Sequence, residues 1–223
     1  EDALNLQAKI KRQNILMSVT PQSKSKPDLL NSPILPTLKK MTIPMIFGMI
    51  TLMMFNLVDT FFISLLGTEP LAAVSFTFPV TFTVISLAIG LGIGTSAVIA
   101  KALGSDKLDE ARFDASMSLL VAVVMVFSLS VVGYVFIEPI FKLLGAGELV
   151  LPLIHDYMSV WFLGSVFLIT PMVGNSVLRA SGDTKTPSIV MGGAGLINAI
   201  LDPMLIFGFG PIPALGIQGA AIA

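Results

Sequence analysis

Long apolar runs are the feature that most constrains this chain. Five complete runs and the start of a sixth cover residues 43–66, 71–100, 115–137, 152–178, 188–209 and 217–223. A helix needs about 20 apolar residues to cross a bilayer, and lipid offers no partner to an unpaired backbone group. The sequence therefore predicts an all-α polytopic membrane protein whose helices are connected by short polar loops.

The composition supports this class and excludes several others. Only 12% of the residues are charged, whereas a soluble domain carries about 25%. The net charge of −1 predicts no nucleic-acid partner. The chain has no cysteine and a single histidine, His155, so neither a thiolate centre nor a multi-histidine metal site can form within it. We expect no enzyme activity and no cofactor.

The two ends of the chain lie outside the five complete apolar runs. Residues 1–33 are mostly polar and predict a tail, while residues 34–223 predict one transmembrane lobe. The chain stops at Ala223, a few residues into the sixth run. We therefore expect a sequence truncated early in helix six.

Basic residues predict the orientation of the spans. If the tail is cytoplasmic, every Lys and Arg of the 13 except Lys142 falls on the cytoplasmic side. Cytoplasmic loops of membrane proteins carry an excess of basic residues. The sequence predicts a multi-pass protein of a bacterial or archaeal inner membrane with its N-terminus in the cytoplasm.

Two acidic residues lie inside the predicted spans. Asp59 lies in the first span and Asp202 in the fifth, and no Lys or Arg falls within the predicted bounds of any span. A carboxylate at the centre of a membrane helix costs about 2.5–3.5 kcal/mol. Asn198 shares a helix face with Asp202, and Asn56 precedes Asp59 by three residues. This oxygen-rich set suits a shared proton or a small hard cation; the alternatives are a basic group from the missing half and a purely structural hydrogen-bonding role.

Other polar residues of the spans give weaker signals. Asn175 either lines a cavity or bonds to a neighbouring helix. Tyr134, Tyr157 and Trp161 lie toward the outer ends of their spans and are interpreted as anchors at the membrane interface. Pro44 removes a backbone hydrogen bond within the first span and allows a bend there.

Short motifs in a fixed order resemble the multidrug and toxic compound extrusion (MATE) family. They are Ile43-Pro44, Asn56-Leu57-Val58-Asp59-Thr60, Leu66-Gly67, Leu71-Ala72-Ala73-Val74, residues 90–96 with Ala100, residues 178–187 and residues 198–203. The resemblance implies the N-terminal six-helix lobe of a twelve-helix, two-lobe transporter. It also implies export of bulky, often cationic drugs in exchange for Na⁺ or H⁺, a basis of antibiotic resistance, by a protein that is monomeric at full length.

The resemblance also assigns residues. Asp59, Asn198 and Asp202 match the cation- or proton-coupling site, which would hold Na⁺ if Na⁺ is the coupling ion. Pro44 matches a proline at which the first helix bends. Asn56, Asn175 and Met191 are candidates for the substrate cavity.

Two rival functions remain open at this stage. A lipid-linked saccharide flippase of the same superfamily would need Lys or Arg in its cavity for the pyrophosphate, and the predicted spans hold none. An intramembrane aspartyl protease would need a motif such as GxGD within a span, and Ser181-Gly182-Asp183 is predicted to be a loop. The sequence does not distinguish Na⁺ from H⁺ coupling.

Overall fold

A computed structural model of the protein describes residues 33–211 and 213–223. The predicted tail, residues 1–33, lies outside the described residues except for Pro33. The described residues form seven helices: α1 (Ile34–Ser64), α2 (Thr68–Gly104), α3 (Leu108–Val135), α4 (Ile137–Leu143), α5 (Leu151–Ala180), α6 (Lys185–Phe207) and α7 (Ile217–Ile222).

Five of these helices are long and apolar enough to cross a membrane: α1, α2, α3, α5 and α6. Large apolar side chains cover the outside of the bundle, among them Phe47, Leu163 and Phe167. Monomeric soluble proteins rarely expose apolar surface on this scale. The prediction of an all-α polytopic membrane protein is confirmed.

Several helices are longer than the sequence predicts, because polar residues and prolines that suit a helix start form their first turns. Glu69 and Pro70, predicted to be part of a turn, form the first turn of α2 after Gly67, whose φ of 122° suits glycine. Asp109 and Glu110, predicted to be loop residues, occupy the first turn of α3, where acids are favourable.

Helix α5 is the centre of the bundle and packs against α2, α3, α4 and α7, while α1 packs mainly on α6. The closest approaches occur where one helix offers a glycine. A Cβ at Gly92 would lie 2.6 Å from Ser176 Oγ, and one at Gly133 would collide with the ring of Phe162. Small residues allow membrane helices to pack closely in this way.

The helices run alternately up and down, so the loops collect at two ends of the bundle. The end at which α2 and α5 finish and α3 and α6 start holds Lys101, Lys107, Arg112, Arg179 and Lys185, and we call it the basic end. The opposite end contains α4, which lies in the segment that follows the third predicted span. Its Ile137 and Phe141 are buried in the bundle core, so this helix is an integral part of the packing.

Candidate functional site

The two intramembrane acids lie on the two helices that pack along each other, Asp59 on α1 and Asp202 on α6. Asp202 is 0% exposed and Asn198, one turn earlier, is 6% exposed. Phe55, one turn before Asp59, packs against Gly195, one turn before Asn198. The structure therefore brings Asp59, Asn198 and Asp202 to one place inside the apolar bundle.

Four buried oxygen atoms of this cluster lack a hydrogen-bond partner among the described residues. Asp59 Oδ1, Asn198 Oδ1 and both carboxylate oxygens of Asp202 are buried without a hydrogen bond. Buried polar atoms in native proteins are almost always paired, and an unpaired buried carboxylate is especially costly. The cluster is thus a set of oxygen acceptors that a bound proton or cation would satisfy.

No basic side chain among the described residues pairs with these acids. The described ion pairs are Lys107–Glu110, Arg112–Asp109 and Lys142–Glu138, which are exposed and lie within single turns near the bundle ends. The structure does extend α2 over Lys101 and α5 over Arg179, both outside the predicted spans. Arg179 is half-buried, but its hydrogen bond goes to Ser176 Oγ at 2.7 Å.

Pro203 adds a further acceptor next to Asp202. It lies inside α6, and proline has no amide hydrogen to donate to the carbonyl four residues earlier. The carbonyl of Ala199 therefore lacks its usual helical partner. This backbone oxygen lies between Asn198 and Asp202 in sequence.

Sequence reasoning missed Tyr157, which was interpreted as an interface anchor. The structure places it on α5, against a core cluster that contains Ile63, one turn after Asp59, and Ile206, one turn after Asp202. Its ring packs against the clusters that contain Ile63 and Ile206 on one side and Met158 on the other. Tyr157 on α5 is therefore the residue that a third helix, besides α1 and α6, contributes to the cluster. Its sequence signal, a tyrosine near a span end, is also typical of an anchor.

The predicted cavity residues do not all join this cluster. Asn56 lies on the exposed side of α1, one turn before Asp59. Met191 is half-buried on α6, about 16 Å along the helix from Asp202. Asn175 lies about 27 Å along α5 from Tyr157, next to Ser176 at the contact with Gly92, so it is remote from the acids.

A cavity of 410 Å³ opens beside the acids, between α1 and α2. Its lining starts at Thr60, next to Asp59 in the chain, and includes Ser75 and Phe78. The wall is mostly apolar with a few hydroxyl groups, which is the usual character of a small-molecule pocket.

Pro44 lies inside α1, toward the basic end of the bundle. Its carbonyl accepts a hydrogen bond from Ser188 Oγ of α6 at 2.8 Å. The proline thus stands at a helix-to-helix contact, not at a position that faces only lipid.

Comparisons with known proteins give the family. The MatE family profile matches residues 44–204. An FAD transporter of Shewanella oneidensis is 51% identical over 200 residues, which are 90% of this chain and 44% of that protein. A probable multidrug resistance protein of Bacillus subtilis, YoeA, is 34% identical over 158 residues, 71% of this chain and 34% of its own length.

A solved structure agrees with these relatives. The crystal structure of the Vibrio cholerae MATE transporter VcmN in the bent form superimposes with a TM-score of 0.79 at 39% identity, over 84% of this chain and 42% of that one. The chain thus spans less than half the length of the relatives it matches. It belongs to the MatE family of membrane transporters and corresponds to the N-terminal half of such a protein.

Proposed function

We propose that this chain is the cation-coupling half of a secondary active exporter of bulky organic compounds. The observation that carries the proposal is the cluster of Asp59, Asn198 and Asp202, whose buried oxygens have no partner among the described residues. A proton or Na⁺ bound there would supply the missing partner and neutralise the acids.

Binding of the cation would then drive export. Two carboxylates that repel each other favour a packing that separates or hydrates them, and their neutralisation favours close packing of α1 on α6. If the cation prefers one packing and the cargo the other, each drives release of the other across the membrane. This exchange is an antiport.

The proposal is tested with the full-length protein in vesicles loaded with an exportable dye. We expect Asp59→Asn and Asp202→Asn to abolish export driven by an imposed cation gradient, because each replaces a carboxylate by an uncharged group of the same size. Glu69→Gln, which changes an exposed acid in the first turn of α2, is the matched control. Export by either aspartate variant at the wild-type rate refutes the proposal.

The same vesicles identify the coupling ion. One arm applies a Na⁺ gradient at equal pH, and the other applies a pH gradient in buffer free of Na⁺. Carboxylate and amide oxygens can bind either ion. Export that responds to only one gradient names the ion that the cluster binds.

FAD is the first cargo to test. The relative at 51% identity is named an FAD transporter, while the relative named for multidrug resistance is 34% identical. FAD combines a planar aromatic ring system with an anionic pyrophosphate, so it differs from the organic cations that the resemblance implies. Half-buried Arg179 in α5 weakens the argument that this half offers no basic group to a pyrophosphate.

Multidrug export is the second candidate and is separated from the first by competition. Vesicles are loaded with FAD, with ethidium, an organic cation, or with both at equal concentration. If FAD is the cargo, it leaves under the cation gradient and ethidium does not slow it. Faster export of ethidium, with no export of FAD, supports the multidrug function instead.

The orientation is part of this proposal. The basic end of the bundle is proposed to face the cytoplasm, because basic residues are retained on that side of a membrane. The protein would then lie in the inner membrane of a bacterium or archaeon, act as a monomer at full length, and export its cargo toward the end that holds α4.

A further inference from the structure

Helices α1 and α6 run in the same direction and meet along a continuous line, which we call the α1–α6 seam. On α6 it consists of Ser188, Met191, Gly195, Asn198 and Asp202, which follow one another at spacings of three and four residues and so lie on one face. On α1 it consists of Pro44, Gly48, Thr51, Phe55 and Asp59.

Contacts along the seam fix its register. A Cβ at Gly48 would lie 3.5 Å from Ser188 Oγ, and one at Gly195 would lie 3.4 Å from Thr51 Cγ2. Toward the far end, Phe55 Cδ2 lies 3.9 Å from the Cβ position of Gly195, one turn before Asp59 on α1 and Asn198 on α6. The acids and the Pro44–Ser188 contact are therefore two ends of one interface, about 22 Å apart along α1.

Ser188 makes a hydrogen bond between α6 and α1. Its hydroxyl lies 2.8 Å from the carbonyl of Pro44 and also 2.8 Å from the carbonyl of Thr184 in its own helix. A hydroxyl has a single hydrogen to donate, so the two carbonyls compete for it. If α1 moves away, the hydrogen passes to Thr184, and no buried donor is left unpaired.

The acceptor can be released at equally low cost. The carbonyl of Pro44 lies inside a helix and also accepts the amide hydrogen of residue 48 in the ordinary helical pattern. Losing Ser188 therefore does not orphan it. The bond can break and re-form without the penalty of an unsatisfied buried group, which a reversible contact requires.

The helix that carries Ser188 is fixed at its start, whereas the helix that carries Pro44 is weakened at the proline. Asp183 fixes the start of α6 by accepting hydrogen bonds from the amides of Lys185 and Thr186 and from the Thr186 hydroxyl. On α1, by contrast, proline removes the amide bond to residue 40, and helices kink at such positions. A rearrangement at this contact therefore moves α1 relative to α6.

We propose that Ser188 is a positioning residue that holds α1 against α6 at Pro44, and that the bond between them sets the balance between two arrangements of α1. The inference rests on the proposed function, because the balance between the two arrangements is expected to affect cation binding at Asp59 and Asp202. A contact that biases one arrangement of the seam changes the apparent affinity of the cation site at its other end by at most the same factor.

The conformational balance is measured with spin labels in the full-length protein. Labels at Lys39, which precedes Pro44 on α1, and at Lys107, between α2 and α3, are both exposed, and pulsed electron paramagnetic resonance gives their distance distribution. We expect Ser188→Ala to change the ratio of the two arrangements by about two- to tenfold, the worth of one hydrogen bond. Ser188→Thr, which retains the hydroxyl, should restore the wild-type ratio.

Two further variants show whether the effect depends on this contact. Ser128→Ala is the matched control, because Ser128 is exposed and donates 2.8 Å to Val124 within its own helix; it should leave the ratio unchanged. Pro44→Ala restores the missing amide bond in α1. In that background Ser188→Ala should have a smaller effect than in the wild type, since the weak point has been repaired.

A distance distribution that is the same in Ser188→Ala and wild type overturns the proposal. So does a change in Ser188→Ala that Ser188→Thr fails to reverse, since the hydroxyl is then not responsible. The distances are recorded at one fixed pH, without Na⁺ or cargo. They can therefore contradict the role of Ser188 while the carboxylate variants still support cation-driven export, and the reverse is equally possible.

In the transport assay, Ser188→Ala should shift the cation concentration for half-maximal export by about two- to tenfold. The maximal rate at saturating cation should change less, because the acids themselves are intact. An equal loss of rate at every cation concentration would indicate a merely structural role and contradict the proposal.

Discussion

Tyr157 is the residue whose position in the structure differs most from the role that its sequence suggests. Its ring is held by apolar neighbours from two core clusters, one of which contains Ile63 and Ile206, one turn beyond Asp59 and Asp202. Phenylalanine would keep the ring packing and remove only the hydroxyl. We expect Tyr157→Phe to raise the cation concentration needed for half-maximal export by about two- to tenfold, because the site loses one polar group.

Tyr134→Phe is the control for this prediction. Tyr134 is 46% exposed near the same end of the bundle, so removing its hydroxyl should leave the concentration dependence unchanged. The measurement is export rate against cation concentration for the three proteins. If Tyr157→Phe and Tyr134→Phe give the same curve as the wild type, Tyr157 has no part in the site.

Residue chemistry explains which parts of the site were predictable. Asp59 and Asp202 stand out in any sequence because lipid disfavours carboxylates, and their spacing to Asn56 and Asn198 is visible directly. Tyr157 and Ser188 do not stand out. Tyrosine near a span end is usual at an interface, and single serines are common between membrane helices. Only their neighbours in three dimensions distinguish them.

At the scale of helices, the start of α6 depends on Asp183 in the loop after α5. Hydrogen bonds from the Thr186 hydroxyl, and from the amides of Thr186 and Lys185, lower the pKa of Asp183 below its ordinary value. We expect Asp183→Ala to destabilise the protein by about 0.5–2 kcal/mol, the usual cost of losing a helix cap. Thermal unfolding of the purified protein measures it, with Ser181→Ala, a change of an exposed serine in the same loop, as the control.

The pH dependence of this cap has a definite sign. A carboxylate whose pKa is lower in the folded state stabilises that state above the pKa of the unfolded chain, about 3.9. This contribution is lost as the pH falls through the lower pKa of the folded protein. The difference in stability between wild type and Asp183→Ala should therefore be full at neutral pH and shrink in acid. A difference that stays constant down to strongly acidic pH would contradict the capping role.

The existence of the long helices follows from the apolar runs, but their pairing does not. Polar tails of the runs, such as Glu69-Pro70 and Asp109-Glu110, were predicted to be loops because their composition is polar, although acids and proline suit a first turn. The seam between α1 and α6 was hidden for a different reason. Helices that are apolar on every side carry no periodic signal for the face that meets a neighbour.

At the scale of the whole lobe, the basic residues are concentrated at one end of the bundle, and this asymmetry allows a direct test of orientation. Ser105 and Ser181 lie at the basic end, whereas Leu149 lies at the other end, and all three are exposed. The chain has no cysteine, so single cysteines placed at these positions in a cysteine-free full-length protein report accessibility without background. None of the three changes alters a charged residue, so the orientation signal itself is preserved.

In intact cells, a maleimide that cannot cross the membrane should react with Leu149→Cys and not with Ser105→Cys or Ser181→Cys. The two serine variants should become reactive once the membrane is permeabilised, because the basic end then meets the reagent. The physical reason is that the basic residues near Ser105 and Ser181 hold that end in the cytoplasm. Labelling of Ser105→Cys in intact cells, with Leu149→Cys protected, would show that the lobe has the opposite orientation. The carboxylate cluster would then take up its cation from the other side of the membrane.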